Sequence, residues 1–170
     1  MRLGIAAAGL LSACAITGCH GYGHLYPVSG PLTALAPAPV YTAKITLTPN
    51  WSKPITVGAH ANDSVGKIAL TLANGEQFNG TWKQVYQQPG ATNTASDPLA
   101  STWDAIYGSG YYTAHVLGTP LFVHSDMTGT LGTKLTVEWY EQAYGGNQNQ
   151  RLVARGIAKD SKGDVFKLVF

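Results

Sequence analysis

Lys134-Leu135-Thr136-Val137-Glu138-Trp139 is the stretch from which the fold can be read. Leu135, Val137 and Trp139 alternate one for one with Lys134, Thr136 and Glu138. A period of two sends successive side chains to opposite faces of an extended chain, so this is a strand with one face buried and one in water. A helix would set Val137 on the side away from Leu135 and Trp139, and no apolar face would form.

The same grammar repeats outward in both directions. After a polar Gly/Asn/Gln loop over Tyr144 to Gln150, Arg151 to Lys159 and Val165 to Phe170 make a hairpin turning through Asp160-Ser161-Lys162-Gly163. Before Lys134, Tyr111 to Leu117 and Leu121 to Asp126 read as a hairpin around Gly118-Thr119, glycine first as a type II′ turn requires. Further back, Ile68, Leu70 and Leu72 alternate with small or polar residues, as do Phe78, Gly80 and Trp82. Asn74-Gly75 lies between the two rows. A strict two-residue loop would pair Leu70 with Asn79 and put the rows on opposite faces. An odd loop with Gly75 left-handed puts both on one face, and register follows the buried face, so the odd loop is expected. Gly75-Glu76-Gln77-Phe78 and Gly163-Asp164-Val165-Phe166 leave their turns alike, which is shared turn chemistry rather than a repeat. Val40 to Thr48 is rich in β-branched residues and stops at Pro49.

One helix interrupts the strands. Asp97-Pro98 offers an N-cap followed by proline at the first helical position, Leu99, Trp103 and Ile106 recur at helical spacing, and Gly108 ends it, giving a helix near 98–107. The expectation is an all-β domain over 40–170, a mainly antiparallel meander of eight or so short strands closing as a small barrel or sandwich, with one short α-helix. Twenty glycines, nine prolines and 12% charged residues suit such a turn-rich chain. A strand ending at Phe170 invites comparison with outer-membrane barrels, but these strands are too short and their outward faces too polar.

The first 18 residues follow another logic. Arg2, the apolar run Leu3 to Leu11 and small residues before Cys19 have the layout of a secretory signal peptide. The run is shorter than the 20 or so apolar residues of a membrane span. Ile16-Thr17-Gly18-Cys19 resembles the lipobox of bacterial lipoproteins, in which the cysteine thiol takes a diacylglyceryl group, the chain is cut before it, and the new amine is acylated. Leu11-Ser12-Ala13-Cys14 fits the same pattern but leaves a very short hydrophobic region behind Arg2, so Cys19 is the expected lipidation site. Cleavage there leaves 152 residues with net charge +1. That is enough chain to bury about two thirds of its unfolded surface without metal or disulfide. No basic stripe suggests nucleic acid. Residues 19–39, with Pro27, Pro31, Pro37 and Pro39, read as a lipidated cysteine and a Pro/Gly-rich tether.

Candidate chemistry gathers on the Gly118 hairpin. Its two-residue loop would place Tyr111, His115, His124 and Asp126 on one face, where two imidazoles and a carboxylate could bind a metal or relay a proton; a solvated polar face is the plainer alternative. His20 and His24 in a glycine-rich segment could hold a soft metal. His60, Asp63 and Ser64 lie too close in sequence for catalytic geometry. Asp104 and Glu138 are not visibly paired. No phosphate loop, dinucleotide fingerprint or zinc spacing occurs. Trp82, Trp103 and Trp139 fall in phase with apolar rows and belong to a core, leaving Trp51 as the tryptophan expected at the surface.

Trp103-Asp104-Ala105-Ile106-Tyr107-Gly108, then Tyr111-Tyr112-Thr113-Ala114-His115-Val116-Leu117-Gly118, resembles a family of small proteobacterial envelope lipoproteins without an assigned activity. Leu25-Tyr26-Pro27-Val28-Ser29-Gly30-Pro31-Leu32 and Gly156-Ile157-Ala158-Lys159-Asp160 support it. The resemblance implies a lipoprotein of the bacterial cell envelope. His20, where aspartate would retain such proteins at the inner membrane, implies anchoring in the outer membrane facing the periplasm. The expected role is a non-enzymatic β domain acting through an envelope protein or peptidoglycan partner, with no cofactor. The alternative is a ligand- or metal-binding lipoprotein using an apolar cavity or the His115/His124/Asp126 face.

Overall fold

The computed structural model describes residues 20–48, 65–72, 74–85, 97–119, 122–144 and 151–170. The signal peptide, Cys19, Trp51, His60, Asp63, Ser64, the Pro120-Leu121 pair and the loop 145–150 lie outside them. Eight antiparallel strands close into one barrel in sequence order: β1 (His20–Ser29), β2 (Tyr41–Thr48), β3 (Val65–Thr71), β4 (Gln77–Val85), β5 (Phe122–Thr128), β6 (Lys134–Tyr144), β7 (Arg151–Asp160) and β8 (Val165–Val169), with β8 pairing back to β1. Closure removes the free edges of the sheet.

Alternation decides what fills the barrel. Leu135, Val137 and Trp139 point inward and are buried, joined by Phe78 and Trp82 from β4, Phe166 and Leu168 from β8 and Leu25 from β1. Trp82 meets Trp139 edge to face at 5.6 Å. Inward glycines make room for this bulk: a Cβ on Gly156 would lie 2.9 Å from the Trp139 Cβ, and one on Gly80 would lie 2.4 Å from Met127 Cγ. Lys44, Lys67, Gln77, Asn79 and Lys83 point outward and are exposed. Apolar inside and polar outside is the reverse of a membrane-spanning barrel.

The hairpin at Asn74-Gly75 has the expected odd loop. Leu72 N–H donates to Glu76 O, Gly75 is left-handed at φ 79°, and Leu70 pairs with Phe78 on the buried face. The turns between β5 and β6 (Gly129 to Thr133, Gly132 at φ 87°) and between β7 and β8 (Asp160 to Asp164, Gly163 at φ 95°) close in the same way.

Two readings are corrected. The tether assigned to 19–39 is largely strand: β1 pairs with β2 from His20↔Thr46 to Leu25↔Tyr41 and with β8 from His24↔Val169 to Ser29↔Val165. Pro27 is tolerated because the ladder to β2 has ended and the ladder to β8 shifts register between Pro27 and Ser29. Among the described residues the barrel therefore includes His20–Ser29, ahead of the Val40 expected as its start. Nor does Tyr111 to Leu117 form a strand. After α1 (Ala100–Tyr107) and left-handed Gly108 and Gly110, Tyr112–Val116 is a π-helical turn, burying Tyr112 and Val116 four residues apart. The Asp104 carboxylate accepts from Gly110 N–H at 3.1 Å and Tyr112 N–H at 2.8 Å, capping this second turn from inside the first helix.

These helical turns build a second core outside the barrel. Leu99, Trp103, Tyr112 and Val116 pack on Tyr140 and Ile157, which point outward from β6 and β7. The helix starts at Ala100, two residues later than expected, with Leu99 rather than Asp97 at its N-cap; the Asp97 carboxylate instead accepts from Leu99 N–H at 2.8 Å in the turn before it.

Candidate functional site: an imidazole held between two carboxylates

Where helix and barrel meet, a chain of polar side chains crosses from the covered wall into solvent. The register of β5 against β6 sets His124 opposite Glu138 and Asp126 opposite Thr136, all four outward. Glu138 is buried under α1, and Trp103 Nε1–H donates to its Oε2 at 2.9 Å. His124 Nδ1 lies 3.0 Å from Glu138 Oε1, and Nε2 lies 2.9 Å from Asp126 Oδ2. The Thr136 hydroxyl donates to Asp126 Oδ1 at 2.7 Å.

The electrostatics follow from that geometry. The Glu138 hydrogen bond, and then Asp126, push the His124 pKa up to about 9 against the opposing effect of burial. The ring is an imidazolium at neutral pH, donating from both nitrogens. Burial pushes the Glu138 carboxyl up and nearby Asp97 adds to this, while the imidazolium and Trp103 pull it back. Burial also raises Asp126, but Thr136, His124 and Lys83 outweigh it and hold that carboxyl below its ordinary value. A doubly engaged imidazolium has no lone pair for a metal and cannot accept a proton. Its chemistry is that of a clamp, tying the barrel wall to the helix through Glu138 and Trp103.

A groove of about 550 Å³ runs beside the clamp, lined by Thr81, Trp82, Lys83, His124, Ser125 and Asp126. It lies where the β4–β5 ladder, formed at Lys83 to Val85, gives way before resuming at Phe78↔Gly129. The buried Ser125 hydroxyl donates to Thr81 O at 3.0 Å across that gap, so it is committed to the backbone.

Of the expected metal face, His124 and Asp126 do meet, because they stand two apart on one strand. His115 does not share a hairpin with them: it sits exposed on the π-helical turn, its ring 4.6 Å from Tyr111. Among the described residues no group of three His, Cys, Asp or Glu is placed to hold a metal ion. His20 and His24 lie on an extended strand, four residues or about 13 Å apart, too far to share an ion. Glu138, the partner sequence reasoning missed, is set against His124 by the turn Gly129 to Thr133, which carries the same late glycine as the other two turns; that glycine marks a turn but does not say which strands pair across it.

Two further clusters accompany the clamp. Trp103, Tyr107, Tyr111 and His115, spaced by four, stack along the helical turns, with Tyr107 and Tyr111 4.7 Å apart. The Tyr107 hydroxyl donates to Gly156 O at 3.1 Å, and its pKa is pushed up to about 12, chiefly by burial. Arg155 Nη1 donates to the Tyr111 hydroxyl at 2.9 Å, which in turn meets the Tyr140 hydroxyl at 2.5 Å. At the turn end of the barrel, buried Glu76 accepts from Thr133 N–H at 3.0 Å, the Thr133 hydroxyl at 2.7 Å and Lys162 Nζ at 3.3 Å. One carboxylate thus ties three hairpins together.

Comparison of the chain with protein-family models, with curated proteins and with solved structures returned no match.

Proposed function

We propose that this chain is an envelope lipoprotein, acylated at Cys19 and held at the periplasmic face of the outer membrane, whose barrel works by contact rather than by catalysis. The observation that carries the reading is the filled lumen. Trp82, Trp139, Phe78, Phe166 and their aliphatic neighbours occupy the space in which small barrels hold an apolar ligand. The clamp points the same way, since both imidazole nitrogens are engaged and the Ser125 hydroxyl in the groove beside it is committed to a backbone carbonyl. Acylation supplies the address: each buried methylene contributes about 0.8 kcal/mol, so two or three chains hold the domain at a bilayer. Confinement there lets a weak contact suffice.

The test is chemical first and functional second. Intact mass of the protein purified from native envelopes is expected to show a chain beginning at Cys19 with a diacylglyceryl and an amide-linked acyl group. In-envelope cross-linking is then expected to recover a recurring partner. A free thiol at Cys19, or saturable uptake of a fluorescent fatty acid by the isolated barrel, overturns the reading.

A further inference from the structure

Among the described residues eight large apolar side chains stand well exposed, and seven gather on adjoining strands. Tyr22, Tyr26 and Val28 run along the outward face of β1; Leu35 and Val40 lie in its connection to β2; Val169 ends β8, which pairs with β1, and Phe170 follows it with its ring 5.9 Å from that of inward Trp139. Only Leu131 lies elsewhere. Monomeric proteins scatter exposed apolar residues singly, and a gathered patch marks a surface that meets something.

Charge says what that is. Beside the stripe, β2 and β3 present exposed Lys44 and Lys67, and no Asp or Glu occurs in the sequences of β1, β2, β3 or β4. The acidic strand residues Asp126, Glu138, Glu141 and Asp160 belong to β5, β6 and β7. Tyrosine, with an apolar ring and a polar tip, is a residue favoured at a membrane–water interface. Lysines near an anionic leaflet contribute further attraction.

The third observation is distance. His20 is already paired with Thr46, so Cys19 is one peptide unit, about 3.8 Å between Cα atoms, from a strand of the barrel. A lipid on that residue has no tether behind it and brings the β1 wall to the bilayer.

We propose that the β8–β1–β2 wall lies against a phospholipid surface, with Tyr22, Tyr26 and Val28 at the headgroup–acyl boundary and Lys44 and Lys67 over anionic headgroups. This rests on the lipoprotein reading for its anchor, but the wall itself is testable without it. The opposite wall is β5, four strands from β1 in either direction around the barrel, where exposed Thr128 faces the aqueous space.

Mature acylated protein carrying a spin label at Tyr26→Cys or at Thr128→Cys is reconstituted on phosphatidylethanolamine–phosphatidylglycerol vesicles. The label at 26 is expected to become accessible to oxygen and shielded from an aqueous nickel chelate, while the label at 128 stays water-exposed. In a second arm, the full mature chain with Cys19→Ser is mixed with the same vesicles. Weak, salt-sensitive binding is expected, reduced about tenfold or more by Lys44→Gln with Lys67→Gln. Tyr22→Ser with Tyr26→Ser is expected to reduce it as well, with the thermal melt of each variant confirming the fold. Absence of acyl groups by mass sinks the anchor alone. Two water-exposed labels on acylated protein, or no vesicle binding by the Cys19→Ser chain, overturn the lipid-facing wall. Protection of the label at 26 without vesicles shows that a second copy covers it, and equally overturns the proposal.

Discussion

His124 donates to two carboxylates at once, and its titration ties the fold to pH. A folded pKa near 9 lies above the ordinary 6.5, so the clamp contributes fully below about pH 6.5 and is lost as pH rises through 9. Urea denaturation across pH 6 to 9.5 is expected to show stability falling by on the order of 1–3 kcal/mol in the wild type, with His124→Asn nearly flat over that window. Glu76 behaves with the opposite sign. Burial alone would raise its pKa, but the bonds from Thr133 and Lys162 hold it below the usual value, so its contribution is present above about pH 4.5 and disappears on acidification. Glu76→Ala strips the partner from a buried N–H and hydroxyl and is expected to cost about 2–4 kcal/mol, Glu76→Gln less, both read from urea midpoints at pH 7. His124 beside Asp126 was legible in the sequence, since i and i+2 share a strand face. Glu138 was not, because its place depends on which strand β5 pairs with.

At the scale of elements, Asp104 separates a strand reading from a helical one. Tyr111 to Leu117 alternates well enough for a strand, yet Tyr112 and Val116 also lie one helical turn apart, and a short apolar run satisfies both periods. The tie is broken by a carboxylate eight residues earlier that satisfies Gly110 and Tyr112 N–H. Asp104→Ala is therefore expected to free the π-helical turn from the end of α1. Amide exchange at Gly110 and Tyr112 should accelerate at least tenfold, with about 1–2 kcal/mol lost overall. The turn at Asn74-Gly75 was readable for the reason this helix was not: an odd loop with a left-handed glycine is fixed by residues adjacent in sequence. All three such turns use one geometry, and Asp160 adds to it by accepting from Lys162 N–H and Asp164 N–H.

At the scale of the molecule, the barrel closes only because β1 joins β2 to β8. A chain beginning at Val40 would leave two long open edges and remove Leu25 from the core. Such a truncation is expected not to fold, shown by collapse of amide dispersion in its NMR spectrum, whereas a true tether would be dispensable. With the proposed acyl anchor at Cys19, the same closure would press the domain against its membrane instead of letting it hang.

The sequence by itself determined the class of fold, the apolar rows of β3, β4 and β6, the odd loop at Asn74-Gly75, and the helix with its stop at Gly108. Each of these is a local matter of period, capping or left-handed backbone. The tertiary structure alone decided that the barrel closes, that 20–29 is the closing strand, that Tyr112–Val116 coils onto the outer wall, and that Glu138 is the imidazole's second partner. β1 carries Gly21, Gly23 and Pro27, which weaken any strand signal. It is a strand because β2 and β8 both offer it unpaired backbone and because Gly23 admits Leu168, whose Cδ1 would lie 2.8 Å from a Cβ there. Pairing between residues more than a hundred positions apart is set by which edges remain to be satisfied, and no local pattern records that.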